Sequence, residues 1–210
     1  MRTGGLRTCG LLFFVLLFWG GPLSVPAAEI TDMAGRTVLL PDREPRIFCA
    51  SPPSLYLLYS LDPSLAAGLN FPLNEREKKY LRPDFARLPV LGGWFGQGRT
   101  PNLETLLTVR PDFILAWYSV RGAANDVIEN MGRTLGIPVV YVRLDTLRQY
   151  AEAFEFLGRV LKREERGAAL ARETRRILDE VEPVLAGIPE EGRVSVYYAQ
   201  GLDGLKTECD

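Results

Sequence analysis

The segment 92–117, GGWFGQGRTPNLETLLTVRPDFILAW, constrains this chain more than any other stretch. It runs in order through a glycine-rich aromatic loop, a helix capped by Thr100-Pro101-Asn102, an Arg-Pro-Asp turn and a short apolar strand, and it closes on Trp117. The strand FILA (113–116) is apolar at successive positions, so it demands cover on both faces, as a central strand of a parallel sheet does. In the preceding helix, Leu103, Leu106, Leu107 and Val109 are expected to form the buried stripe. Loops that leave the carboxyl ends of such strands gather on one rim, which is where ligands bind in open α/β sheets.

The same strand-and-helix unit recurs along the chain. Residues 29–40 read as a hairpin around the turn-forming Asp32-Met33-Ala34-Gly35-Arg36. RIFCA (46–50) is a first core strand, and Ser51-Pro52-Pro53-Ser54 starts a helix with Pro53 in its first turn. Residues 65–69 suggest a weak second strand, and 75–85 a charged, exposed segment. Residues 123–135 are helical with Gly136 placed to end the helix, and PVVYV (138–142) is the next buried strand. This alternation predicts an α/β fold with a doubly wound parallel sheet over residues 29–145. Residues 146–190 read as two connecting helices that meet near Lys162, and VSVYY (194–198) as the opening strand of a second α/β lobe over 191–210. That strand has nothing after it to pair with, so the second lobe is expected to be truncated.

Residues 1–28 carry the marks of an export signal. Arg2 and Arg7 precede a continuous apolar run from Leu11 to Trp19, and Val25-Pro26-Ala27-Ala28 offers small residues for cleavage. The run is shorter than the ~20 residues a bilayer-spanning helix needs, and Cys9 lies before it, where no lipoprotein cysteine belongs. The expectation is a soluble, periplasmic protein. Without Arg2 and Arg7, the 25 basic residues become 23 against 26 acidic, a net charge near −3 with no basic tract, which argues against nucleic acid as a partner. The chain contains no histidine, which disfavours zinc sites and the usual hydrolytic triads. Cys49 and Cys209 are too few for a disulfide framework, and Cys49 falls in an apolar run; a bridge between the two is left open. No cofactor and no metal site is expected.

Taken in order, ITDMAGRTVLLP, RIFCASPPSLYLLYSL, LPVLGGWFGQGRTPNLETLLTVRPDFILAW, LGIPVVYV and VYYAQGLDGLKT resemble the periplasmic substrate-binding proteins of ABC importers for iron-siderophore complexes, haem and cobalamin. The resemblance covers residues 29–210. It implies two α/β lobes joined by a rigid long helix, a monomer, a bulky ligand held between the lobes, and a permease at the membrane as the partner that receives it. In that family a glutamate on the helix of PNLETLL points outward and docks on the permease, which here is Glu104; the first helical turn is also a favourable place for any carboxylate.

At the expected rim stand Ser51, Asn70, Phe71, Trp94, Phe95, Trp117, Tyr118 and Arg143, with Tyr198 at the entry to the second lobe. Aromatic faces with a few polar groups suit a large flat or macrocyclic ligand, and Arg143, Arg99 and Arg121 suit an anionic one. Each aromatic also has a plain packing role open to it. With no histidine to ligate haem iron, a tyrosine such as Tyr118 or Tyr198 is the remaining candidate. An enzyme on a Rossmann-like sheet is the alternative, as is a sensor of the same fold. The glycine cluster Gly92, Gly93, Gly96 and Gly98 fits neither the dinucleotide fingerprint nor a phosphate loop, which argues against the enzyme.

Overall fold

The computed structural model describes residues 27–94, 101–118 and 123–199. Its centre is a three-stranded parallel sheet, β3 (Ile47–Cys49), β4 (Phe113–Trp117) and β5 (Val139–Val142), in the order β3-β4-β5. Before it comes an antiparallel hairpin, β1 (Ala27–Thr31) with β2 (Thr37–Pro41). Every residue of β3 and β5 is buried, and so are the first four of β4, because side chains alternate between two apolar layers. Ile47, Cys49, Phe113, Leu115, Val140 and Val142 pack on one face with α1 (Pro52–Leu61) and α4 (Leu147–Val160). Phe48, Ile114, Ala116, Val139 and Tyr141 pack on the other with α2 (Leu103–Val109) and α3 (Ala123–Leu135). Helices on both faces make the sheet doubly wound, as the alternating pattern predicted.

Three expectations need correction. Residues 65–69 form no strand; they make only isolated bridges, Ile47 to Ala66 and Leu69 to Val90. The ladder bonds are there, with Ala67 N–H on Ile47 O at 2.8 Å and Leu91 N–H on Leu69 O at 2.8 Å. A 3-10 turn at Pro63–Leu65 and the close approach at Gly68, where an added Cβ would lie 2.6 Å from Pro89 O, leave too short a run for a strand. In α2 only Leu106 is buried. Leu103 and Leu107 lie one turn apart on the outward face, 44% and 53% exposed, since seven residues of helix touch the lobe along one narrow line. Finally, residues 194–198 adopt no strand and are exposed throughout, because no strand among the described residues lies beside them to supply hydrogen bonds.

The turn of the hairpin closes the free edge of β5. Asp32, whose side chain is fully buried, accepts from the backbone N–H groups of Ala34 and Arg36 at 3.0 Å each and from Tyr141 N–H at 3.2 Å. Met33 N–H returns a bond to Tyr141 O at 3.1 Å, and Arg36 donates to Val139 O at 2.7 Å. Arg36 also bridges Asp32 and Glu129 and lies 4.3 Å over the Tyr141 ring. Gly35, at φ +80°, supplies the left-handed residue that the turn requires. An edge strand with unpaired backbone groups invites pairing with another chain, and here those groups are occupied.

From β5 the chain enters α4 through a capping box of Thr146 and Gln149, then turns at Lys162 into α5 (Glu164–Ala186). The two helices approach backbone to backbone at Gly158 and Gly167, where a Cβ on Gly167 would come within 2.5 Å of Phe154 O. Glu155 and Arg175 pair in bidentate fashion across them, and Arg148 reaches Asp179 and Glu182. At the other end, Arg163 ties the turn to Asp62 and Glu44. Although partial burial acts against it, hydrogen bonds from Ser64 and Arg163 hold the Asp62 carboxyl below the usual carboxylate range. With 23 residues α5 is about 34 Å long. Beyond Arg175 the salt bridges of Arg148 still hold it to α4, but Ile177, Val181, Val184 and Leu185 stay exposed.

Candidate functional site

The carboxyl ends of the strands form a rim, and the chain builds it by lacing three loops together. Asn70 is the lace: its amide nitrogen donates to Cys49 O at 2.9 Å and to Gly92 O at 2.8 Å. Trp94 N–H then closes on Ala50 O at 2.8 Å, and Gly93 must be glycine because a Cβ there would lie 2.8 Å from Ala50 O. Asn70 is 2% exposed and its Oδ1 is buried with no hydrogen-bond partner. Ser51 is fully buried beneath the rim. Its hydroxyl lies 3.1 Å from that of Ser54, which in turn accepts from Ser51 N–H, so both serines serve the start of α1. Ser51 and Asn70 therefore belong to the framework that holds the rim.

The aromatic residues stand around this framework. Phe71 follows Asn70 and is 36% exposed. Trp94 is half-buried, edge-on to Phe48 with ring centroids 5.7 Å apart. Trp117 ends β4 and donates from Nε1 to Asp145 Oδ1 at 3.2 Å. Tyr118 meets the Tyr141 ring edge-on at 5.3 Å. Trp117 ends β4 and Trp94 is held beside the end of β3 by its N–H bond to Ala50 O, yet their side chains go to opposite faces of the sheet: Trp94 and Tyr118 join the layer of α2 and α3, whereas Trp117 joins that of α1 and α4. They frame the rim and do not stack as a pair. Strand alternation sets the face of Trp117, the last residue of β4, whereas the loop bond to Ala50 O places Trp94.

Arg143 follows β5. Its nearest acid is Asp145, whose Oδ2 is 3.7 Å from Nε, beyond hydrogen-bond reach. Nε is buried with no hydrogen-bond partner, while the side chain as a whole is 42% exposed. Such a guanidinium keeps most of its hydrogen-bonding capacity for an incoming acceptor. Asp145 was missed by sequence reasoning; the signal was an acid three residues past the strand, in reach of the residue on which the preceding strand ends.

The remaining candidates are scattered. Phe95, Arg99 and Arg121 lie outside the described residues. Tyr198 is 68% exposed in the irregular segment after α5 and belongs to no element of the rim lobe. Glu104 lies in the first turn of α2, exposed between Leu103 and Leu107, where Asn102 caps the helix by accepting from Thr105 N–H at 3.1 Å. Cys49 is a free, buried thiol whose pKa is pushed far up by burial, which leaves it unreactive; Cys209 lies outside the described residues. Among the described residues no group of acids and cysteines could hold a metal ion, and no helix is long and apolar enough to cross a membrane. Sequence reasoning also passed over Tyr56. Exposed on α1 beside Phe71, it flanks an apolar pocket of about 110 Å³.

Comparison with known proteins bears on this arrangement. Residues 74–206 match the family described as periplasmic binding protein. An ABC transporter solute binding protein from Sulfurospirillum deleyianum is 36% identical, with a TM-score of 0.77 over 87% of this chain and 57% of that one. The molybdate-bound periplasmic binding protein MolA of Haemophilus influenzae is 19% identical, with a TM-score of 0.60 over 80% of this chain and 56% of its own. The periplasmic vitamin B12 binding protein BtuF of Vibrio cholerae is 21% identical, with a TM-score of 0.52 over 69% of this chain and 53% of its own. At such identities the last two share the fold alone. The chain thus spans little more than half the length of the proteins it resembles. No curated protein matches it significantly.

Proposed function

The chain belongs to the periplasmic binding protein family, and on that premise we propose that it is the rim-bearing lobe of an exported receptor that captures an iron-siderophore complex, haem or cobalamin for an ABC permease. The observation that carries this reading is the rim itself: Phe71, Trp94, Trp117 and Tyr118 spread from the Asn70 loop to the end of β4, with the half-exposed Arg143 after β5 and, among the described residues, no carboxylate within hydrogen-bond distance of it. That span suits a bulky solute held by area and stacking, with one cationic anchor for its anionic groups. The same fold holds molybdate in MolA and vitamin B12 in BtuF, so the ligand class rests on the rim and not on the fold.

A second lobe supplies the facing wall in this reading. The exposed stripe of Ile177, Val181, Val184 and Leu185 on the outer half of α5 supports it, as does the fraction of the S. deleyianum protein's length that the chain spans. Residues 1–28 direct export and are removed, so that β1 of the mature protein begins at Glu29, opposite Leu39. Glu104, flanked by exposed Leu103 and Leu107, is the permease contact on this lobe.

Titration of tryptophan emission with a ferric tricatecholate, a ferric trihydroxamate, hemin, cyanocobalamin and molybdate tests the reading. Saturable quenching by one of the first four is expected, weakened about tenfold or more by Arg143→Ala if the ligand is anionic. Quenching by none of them, or by molybdate alone, overturns it. Glu104→Arg is expected to leave that binding unchanged and to abolish uptake through the cognate permease.

A further inference from the structure

We propose that the pocket between α1 and the loop 71–85 is an accessory subsite that seats a single aryl ring carried by the bound solute. The proposal rests on the reading of the rim as the ligand face, and it extends that face around the outer side of the sheet.

Three observations carry it. The pocket adjoins the rim, because its lining includes the rim residue Phe71 and Asn70, which laces the rim loops. Its walls are almost entirely apolar, with Leu55, Leu73, Leu81 and Phe85 around it and no charged side chain. The polar groups on its walls are engaged elsewhere or hidden. Tyr59 accepts from Arg82 N–H at 3.1 Å and sets its ring edge-on to Phe85 at 4.7 Å, and the amide nitrogen of Asn70 serves the two loops. A water molecule needs two to four polar partners to be held well, which this pocket does not offer. Its volume of about 110 Å³ is of the order that accommodates one benzene-sized ring.

The mouth is the functional part. Tyr56 is 68% exposed on α1 and Phe71 is 36% exposed across from it, so two aromatic faces flank the entrance. Exposed aromatic rings beside an apolar pocket give an entering ring stacking contact on the way to burial. Tyr56 thereby becomes a specificity residue that no strand-end argument includes, since it projects from the second turn of a helix.

The test is fluorine NMR of the full chain titrated with fluorobenzene, which probes the pocket without any transport ligand. Saturable binding is expected, lost on pocket filling by Leu73→Trp and weakened by Tyr56→Ala, a surface change that leaves the fold intact. In parallel, Leu73→Trp is expected to weaken an aryl-bearing ferric tricatecholate about tenfold and to spare an aliphatic ferric trihydroxamate. Fluorobenzene that does not saturate, or that saturates equally in Leu73→Trp, overturns the subsite, as does an equal loss of both chelates in that variant. If neither chelate binds the unmodified chain, the iron-complex reading of the rim fails, and the fluorobenzene result alone decides the pocket.

Discussion

The free edge of β5 and the outer half of α5 pose the same problem and meet opposite solutions. Both are surfaces that a neighbour must cover. At β5 the cover is local: Asp32, Met33 and Arg36 from the hairpin turn take up the backbone groups of Val139 and Tyr141. Along α5 beyond Arg175, Ile177, Val181, Val184 and Leu185 remain exposed. Unpaired backbone polar groups cost free energy individually and invite aggregation, so they must be satisfied within the lobe that carries them. An apolar helix stripe costs in proportion to area and is tolerated until a second body covers it. The contrast separates a surface that the described residues complete from one that they leave uncovered.

Three changes break or sharpen that contrast. The largest effect is expected at the β5 edge: Asp32→Ala removes a buried carboxylate with partners in the hairpin, Arg36 and Tyr141, and is expected to cost about 3 kcal/mol in urea unfolding. A shift below ~1 kcal/mol would mean that the turn does not secure the edge. Next comes the packed half of α5. Gly167→Val places a side chain against Phe154 O and the Gly158 backbone and is expected to cost about 1–3 kcal/mol, with a lowered Tm. An unchanged Tm would show that the helices separate freely at this crossing. The smallest effect is expected further along the same helix, where Val181→Lys should move the urea midpoint by no more than the equivalent of ~0.5 kcal/mol, since the side chain is 45% exposed. A large loss there would place a cover on this stripe within the chain itself.

Much of the fold was legible in the sequence because its signals are local and dense. RIFCA, FILA and PVVYV are short apolar runs between turn residues, and each became a buried parallel strand. Ser51, Asn102, Thr146 and Gly136 mark helix ends by chemistry that acts within four residues. Residues 65–69 misled because their ladder bonds are genuine but too few. VSVYY misled because β-rich composition makes no strand without a partner beside it. In α2, four apolar residues at helical spacing suggested a stripe, yet a helix this short buries one of them.

The site was legible as positions and illegible as geometry. Residues just past apolar runs could be named as rim candidates from order alone, which is how Phe71, Trp94, Trp117, Tyr118 and Arg143 came to be named. That Asn70 is spent on Cys49 O and Gly92 O, or that Asp145 holds Trp117 and stands near Arg143, depends on contacts between segments that the sequence does not align. By itself the sequence determined the run of strands and helices, their two-faced burial and the end of the sheet at which the loops collect, because hydrophobic periodicity and capping act between near neighbours. Only the tertiary structure decided which face each tryptophan takes, which side chains are framework and which are rim, and that a ring-sized pocket opens beside Phe71, because those outcomes follow from the register and packing of segments far apart in the chain.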